Sequence, residues 1–373
     1  MKIYKKTNVF EESLDRIRFL FDEFEEVVVS FSGGKDSTVI LNLALMVAKE
    51  KNRLPLTVSF IDQEAEWAKN IEYIRRVMNK PEINPRWFQM HIRIFNATSY
   101  SEPWLQCWEP GKKHMREKEP NAITENVYGT LTFKELFGKI REKDYKNVKM
   151  CDLTGVRTEE NPIRFLGLTS HKTYKHITWG AKTKNPNHFT FSPIYDWSYK
   201  DVWKAIYDNN WDYCEIYDYL YRYGTPVQDM RISNLHHETA LESLKRVQEI
   251  EPKTWESLTE RMTGVNVINK MSFTEAFNIK KLPKAFRDWR EYRDYLVENL
   301  TQNEETKNIF RNRFKQMEES WAYMPEDIKE SMLKEQTKSV VFNDYHFTKL
   351  NNFIQACNRK LYNRGIKWKL KKS

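Results

Sequence analysis

Residues 30–37, SFSGGKDS, combine groups suited to holding an anion. Gly33 and Gly34 stand side by side in a chain of 373 residues that has only eleven glycines. The apolar run VVVSF (27–31) precedes them and VILNLA (39–44) follows, so the pair falls between an expected strand and an expected helix. A helix start offers unpaired amides and the positive end of its dipole. Glycine lets the backbone turn and approach an anion with no Cβ in the way. Ser32 and Ser37 add hydroxyl donors and Lys35 a positive charge. Asp36 is the exception: a carboxylate repels phosphate unless it orients the loop or helps to hold Mg²⁺. The spacing matches neither the Walker GxxxxGK[ST] pattern nor GxGxxG.

Other residues with potential chemistry are more scattered. Cys107, Cys151, Cys214 and Cys357 lie far apart with no CxxC pair, which argues against a zinc ribbon or a cysteine-ligated iron–sulfur cluster and favours reduced, mostly buried thiols. His236 and His237 are adjacent and so point different ways on a helix, which reads as structural. The net charge of +9 suits an anionic partner, and residues 358–373, NRKLYNRGIKWKLKKS, hold seven basic residues and no acidic one.

The elements needed to position these groups follow from periodicity. Phe10, Leu14, Ile17, Leu20, Phe21 and Phe24 predict a first helix, and residues 27–31 a buried parallel strand. A helix is expected from about 37 to 51, strands over 54–62 and 87–94, and a helix over 64–78. Further strands are expected at 150–156 and 189–197. Ser198 and Asp201 form a capping-box pattern before the next helix. Residues 96–145 break the rhythm and are expected to run over the sheet's edge. From about 235 onward only helical patterning is seen. These features predict an α/β fold with a doubly wound, mostly parallel sheet and an appended helical C-terminal region. The expected domains are 1–235, an α/β domain carrying the anion loop with an excursion near 96–145, and 236–373, mostly helical with a basic tail. The absence of a roughly 18-residue apolar run, and of an apolar block after the basic N-terminus, predicts a cytoplasmic protein with no membrane association.

SFSGGKDS resembles the PP-loop of the adenine nucleotide α-hydrolase-like proteins, which binds the pyrophosphate of ATP or the equivalent anion of a related nucleotide. GVRTEENPIR (155–164) and SPIYDWSYKDVWKAI (192–206) resemble segments of phosphoadenosine phosphosulfate (PAPS) reductases and of the small subunit of sulfate adenylyltransferase. The layout, with its tryptophan-rich WLQCWEPGKKHMREKEP, is most similar to the IbrA-type branch. The resemblance implies a phosphate loop of Ser32, Gly33, Gly34, Lys35, Asp36 and Ser37, with Asp62 beside the nucleotide and Arg157 and Arg164 reaching its distal phosphate or sulfate. A guanidinium fork suits such tetrahedral oxyanions. Lys35, Asp36, Arg157 and Arg164 are the expected catalytic residues, with ATP (or PAPS) and Mg²⁺ as cofactors, Asp36 being the candidate Mg²⁺ ligand.

The chain departs from the family in two places. The Cys-Gly-x-His segment of the reductases is missing, Cys357 lying instead in QACNRKLY, and Asp62-Gln63-Glu64 replaces Asp-Thr-Gly after the second strand. Retained nucleotide machinery without the reductive nucleophile favours ATP-dependent adenylation of an acceptor with pyrophosphate release, in sulfur or nucleic-acid modification. The alternatives are a PAPS or APS reductase with an unfamiliar thiol, Cys357 or Cys107, and a nucleotide-sensing regulator. The regulator would bind nucleic acid through the basic C-terminal region, or a ParB/sulfiredoxin-like protein of the kind the resemblance implies as partner.

Overall fold

A computed structural model describes residues 6–365 except 97, 100, 101, 103, 171, 228, 229, 233, 234, 237–240, 263, 266–278, 280, 302, 303, 322, 323 and 343. His237 and the last eight residues of the basic tail therefore lie outside the described residues. The chain packs as two units. The first comprises residues 1–94, 106–235 and 246–257, and the second 95–105, 236–245 and 258–373.

The first unit is built on a six-stranded sheet: β1 (Glu26–Ser30), β2 (Leu56–Ile61), β3 (Ile83–Phe88), β6 (Met150–Leu153), β7 (Gly180–Lys182) and β8 (His188–Phe191). Strands β4 (Ile92–Phe95) and β5 (Trp104–Cys107) make a separate two-stranded ribbon. The order is β3-β2-β1-β6-β8-β7, parallel throughout except for β7, which runs antiparallel to β8. Val27, Val28 and Val29 are buried in β1, as expected for a central strand covered on both faces. α1 (Val9–Glu23) and α2 (Lys35–Glu50) pack against each other and against β1, and their Leu14, Ile17, Leu20 and Val39, Ile40, Leu43, Val47 supply core. The strand order reverses between β1 and β6, and the crevice beyond the C-terminal ends of such a pair is where open α/β sheets bind ligands.

Three expectations need correction. The strand expected over 87–94 is two strands, because the chain leaves the sheet after Phe88 and resumes at Ile92. β3 also begins earlier and includes Pro85, which is tolerated because β3 is the last strand of its sheet. The helix expected from 64 begins only at Ala68, giving α3 (Ala68–Met78). Before it, Glu64 adopts a left-handed φ of 65°, and its amide donates to Asp62 Oδ1 at 2.9 Å, an Asx turn competing with helix. The N-terminus of α3 is capped from far along the chain, by Glu251, which accepts from the amides of Ala68 (2.7 Å) and Lys69 (3.0 Å).

The irregular 96–145 stretch contains β5 and α4 (Phe133–Asp144), and at Ile123 it bridges to Phe88 on the edge strand. After β6 come a 3₁₀ turn (Thr158–Glu160), α5 (Pro162–Thr169), α6 (Tyr199–Asp208) and α7 (Ile216–Arg222). The capping box of α6 is formed by Ser198 and Asp201. Asp196 pairs with Arg16 through two 2.8 Å bonds, and Trp197 is buried with its Nε1 donating to Ser13 Oγ at 2.8 Å. α8 (Leu241–Ile250) and α9 (Pro252–Arg261) follow. In the second unit, α10 (Trp289–Asn299), α11 (Glu304–Glu319), α12 (Glu326–Val341) and α13 (Thr348–Asn363) bury Phe310, Phe314, Met317, Met332 and Leu361. No helix among the described residues is long and apolar enough to cross a membrane.

Asp152 on β6 yields a stability prediction. It is buried beside Arg141, whose guanidinium donates at 2.6 Å, with His188 nearby, and burial pushes its pKa up to about 6. Between the ordinary value of 3.8 and about 6 the folded state holds a proton that the unfolded state has lost. Stability from this group therefore falls as pH rises through that window, by about 2–3 kcal/mol in total. Urea unfolding of the wild type and Asp152→Asn at pH 4 and pH 7 should show this difference in the wild type and lose it in the variant.

Candidate functional site

A cavity of about 710 Å³ opens where β1 and β6 end. It is lined by Ser30, Ser32, Gly34, Lys35, Asp36 and Ser37 from the β1–α2 connection, and by Thr154, Gly155, Val156 and Arg157 after β6. Glu159, Glu160, Arg164, Tyr199, Tyr217 and residues 227 and 230–232 complete the wall.

The loop is held in shape by its own hydroxyls. Ser37 Oγ donates to the Gly34 carbonyl (2.9 Å), receives the Ser32 amide (3.3 Å) and lies 3.2 Å from Ser32 Oγ. Asn70 on α3 donates to the Ser32 carbonyl at 3.2 Å. The two glycines have different reasons to be there. Gly33 has φ +75°, and a Cβ on it would fall 2.0 Å from Asn70 Oδ1. Gly34 has an ordinary φ of −70°, and its nearest neighbour would be Ser32 Oγ at 3.5 Å, so its bareness serves the cavity rather than the fold. Gly155 is a third such residue: a Cβ there would meet Asp36 backbone at 2.7 Å, so glycine lets the β6 loop lie directly on the start of α2.

Charge in the cavity is balanced internally. Arg157 is only 3% exposed. Its Nε donates to Asp36 Oδ1 at 2.6 Å, and one terminal nitrogen donates to Glu159 (2.9 Å) and to the Trp197 carbonyl (3.3 Å). Lys35 Nζ donates to the other Asp36 oxygen at 3.0 Å. Asp36 thus orients both cations of the loop. Arg164, on α5, pairs with Glu160; burial, then the nearby Arg231 and Arg157, lower its pKa. Arg231 belongs to the same cavity and was not singled out by sequence, nor were Tyr217, Gly155 and Asn70.

Asp62 has a different place from the one the resemblance implied. It is fully buried and absent from the cavity lining. Its carboxylate receives Trp87 Nε1 and Gln89 Nε2, both at 2.9 Å, and Arg116 at 2.5 Å to each oxygen. Trp108 Nε1 donates to its carbonyl at 2.9 Å. The tryptophan-rich segment therefore seals the end of β2. All four cysteines are buried and none lines the cavity. Burial raises the pKa of the Cys151, Cys214 and Cys357 thiols, Cys214 to about 12. Cys357 is 2% exposed. His236 is buried, and among the described residues no group of three or more His, Cys, Asp or Glu is arranged to hold a metal ion.

Comparison with known proteins gives this site a lineage. Residues 26–223 match the phosphoadenosine phosphosulfate reductase domain, and 224–364 match a domain of unknown function, DUF3440. The chain belongs to the phosphoadenosine phosphosulfate reductase domain family, within the PP-loop, adenine nucleotide α-hydrolase-like proteins. Over 331 residues it is 28% identical to "Uncharacterized protein YbdN" of Escherichia coli (strain K12), covering 84% of this chain and 80% of that protein. It is 23% identical to sulfate adenylyltransferase subunit 2 of Pseudoalteromonas translucida, over 55% of this chain and 65% of that one. A crystal structure of Candida glabrata FMN adenylyltransferase with FAD and inorganic pyrophosphate aligns at 16% identity and TM-score 0.36, over 58% of this chain and 64% of that one. The chain thus spans less than two thirds of each of these two enzyme chains.

Proposed function

We propose that the protein binds ATP with its pyrophosphate moiety on the 32–37 loop and transfers the adenylyl group to an acceptor oxygen. The acceptor oxygen forms a bond to the α-phosphorus, the bond from that phosphorus to the bridging oxygen breaks, and pyrophosphate leaves with the electron pair. The observation that carries this reading is the make-up of one cavity. A helix N-terminus, Lys35, Arg157 and Arg164 surround the space in which negative charge would accumulate, while no cysteine faces it. Preorganised cations and amides of this kind stabilise a leaving anion. A PAPS reductase would need an accessible thiolate, and burial of all four thiols disfavours that. Relatives named sulfate adenylyltransferase subunit 2 point the same way.

Mg²⁺ fits the site as an ion that arrives with the nucleotide. It takes one or two carboxylates together with phosphate oxygens and water, and Asp36, Glu159 and Glu160 offer carboxylates around the cavity. Bound there, it would neutralise charge on the pyrophosphate. Asp36, which holds Lys35 Nζ at 3.0 Å, would be the ligand that comes from the loop itself.

Incubation with ATP labelled at the α-phosphorus, Mg²⁺ and candidate acceptors (sulfate, carboxylates, nucleobases in RNA or DNA) is expected to release pyrophosphate and label one acceptor. Tight PAPS binding without turnover of any acceptor would refute the proposal.

A further inference from the structure

Tyr217, on α7, is 4% exposed, yet its side chain reaches the cavity wall. Its hydroxyl accepts the backbone N–H of Lys35 at 3.1 Å. That amide belongs to the first turn of α2, where N–H groups have no acceptor within the helix and serve an anion or a cap. The ring is fixed from two sides: Trp203 packs edge-on with centroids 5.3 Å apart, and Lys35 Nζ lies 5.6 Å from the ring centroid. A Cβ on Gly34 would be 3.6 Å from the hydroxyl, which places that oxygen on the floor of the loop. A phenol that accepts one hydrogen bond keeps its own proton to give, and accepting from an amide strengthens it as a donor. Burial keeps this phenol protonated by raising its pKa far above the ordinary range.

We propose that the Tyr217 hydroxyl is an additional anion-binding donor of the phosphate loop, relaying the Lys35 amide onto the pyrophosphate portion of the bound nucleotide. The proposal rests on the nucleotide reading above and adds a residue 182 positions away from the loop. The relay puts a neutral donor where a lysine or arginine would add charge. It therefore selects a phosphoryl oxygen by position without holding the leaving pyrophosphate too tightly.

Titration calorimetry on the full-length protein and Tyr217→Phe, with inorganic pyrophosphate and separately with adenosine, tests it. Loss of the hydroxyl is expected to weaken pyrophosphate about tenfold and adenosine less than about twofold, the size of one lost hydrogen bond to a charged group. Unchanged pyrophosphate affinity, or equal weakening of both ligands, overturns the proposal. Wild-type protein that fails to bind pyrophosphate would overturn the nucleotide reading too, whereas wild-type binding matched by the variant overturns this proposal alone. Should Tyr217→Phe fold poorly, replacement of Tyr217 by 3-fluorotyrosine keeps the ring in place with a more acidic hydroxyl. Tighter pyrophosphate binding then supports the relay, and unchanged binding overturns it.

Discussion

Arg157→Gln is expected to lower the rate of pyrophosphate release about 100- to 1000-fold while leaving a folded protein. Arg157 is buried against Asp36, Glu159 and the Trp197 carbonyl, so no other side chain can swing into its position. Glutamine can replace some of its hydrogen bonds but none of its charge. The remaining carboxylates then face a cavity meant for a polyphosphate. Loss of a preorganised donor at a developing anion accounts for the fall in rate. Removal of one partner from a buried ion pair costs about 3 kcal/mol in stability. Thermal unfolding of the variant separates the two effects. The double variant Arg157→Gln/Asp36→Asn should recover none of the rate, because it removes a carboxylate that still holds Lys35 without restoring the cation. A variant with near-normal turnover would remove Arg157 from the mechanism.

The second large effect separates two neighbouring glycines. Gly33→Ala forces a Cβ onto Asn70 and places a side chain at φ +75°, so Asn70 must move and release the Ser32 carbonyl. The left-handed backbone alone costs about 1–2 kcal/mol, and with the lost hydrogen bond the total is expected to reach about 2–4 kcal/mol. Gly34→Ala meets no protein atom closer than 3.5 Å and should cost no more than about 1 kcal/mol, the penalty of alanine in place of glycine at the N-cap of α2. Its methyl group lies between Ser32 Oγ, Tyr217 and Ser37 Oγ, in space assigned to the anion. Pyrophosphate affinity is therefore expected to drop at least about tenfold in Gly34→Ala. Chemical denaturation and calorimetry on both variants check this crossing of effects. A Gly34→Ala protein that binds normally would show that the anion does not approach the loop closely.

The parts of this site that could be read from sequence are those built by consecutive residues. A β-branched run, two glycines, hydroxyls and an amphipathic run specify strand, loop and helix within some twenty positions, and β1, the loop and α2 follow that pattern. The capping box of α6 is equally local. Residues brought in by tertiary packing left no comparable signal. Tyr217 is one of three tyrosines at alternate positions in IYDYLYR, and only the fold buries it while leaving Tyr221 75% exposed. Arg231 has no pattern around it, and Asn70 looks like any polar residue in a helix. Asp62 shows the converse limit. Its position at the end of β2 suggested a ligand, yet Arg116, more than fifty residues later, encloses its carboxylate. Gly155 carried a readable hint, a glycine directly after an expected strand, but what it packs against is visible only in the fold.

The reach of Glu251 has a consequence for how this protein can be inherited. Glu251 caps α3, α3 carries Asn70, and Asn70 holds the carbonyl of Ser32; Met230, Arg231 and Ile232 line the cavity directly. All of these supporting residues except Asn70 fall beyond position 223, in the stretch that matches DUF3440. A gene broken between the two family regions would therefore yield one product with an incomplete cavity wall and an uncapped α3, and another without a phosphate loop. Recombination has little freedom to shuffle these halves separately, and selection on the cavity extends into sequence that looks like an attached accessory. The seam between the two families is a boundary of classification, and the cavity proposed to hold the nucleotide is built across it.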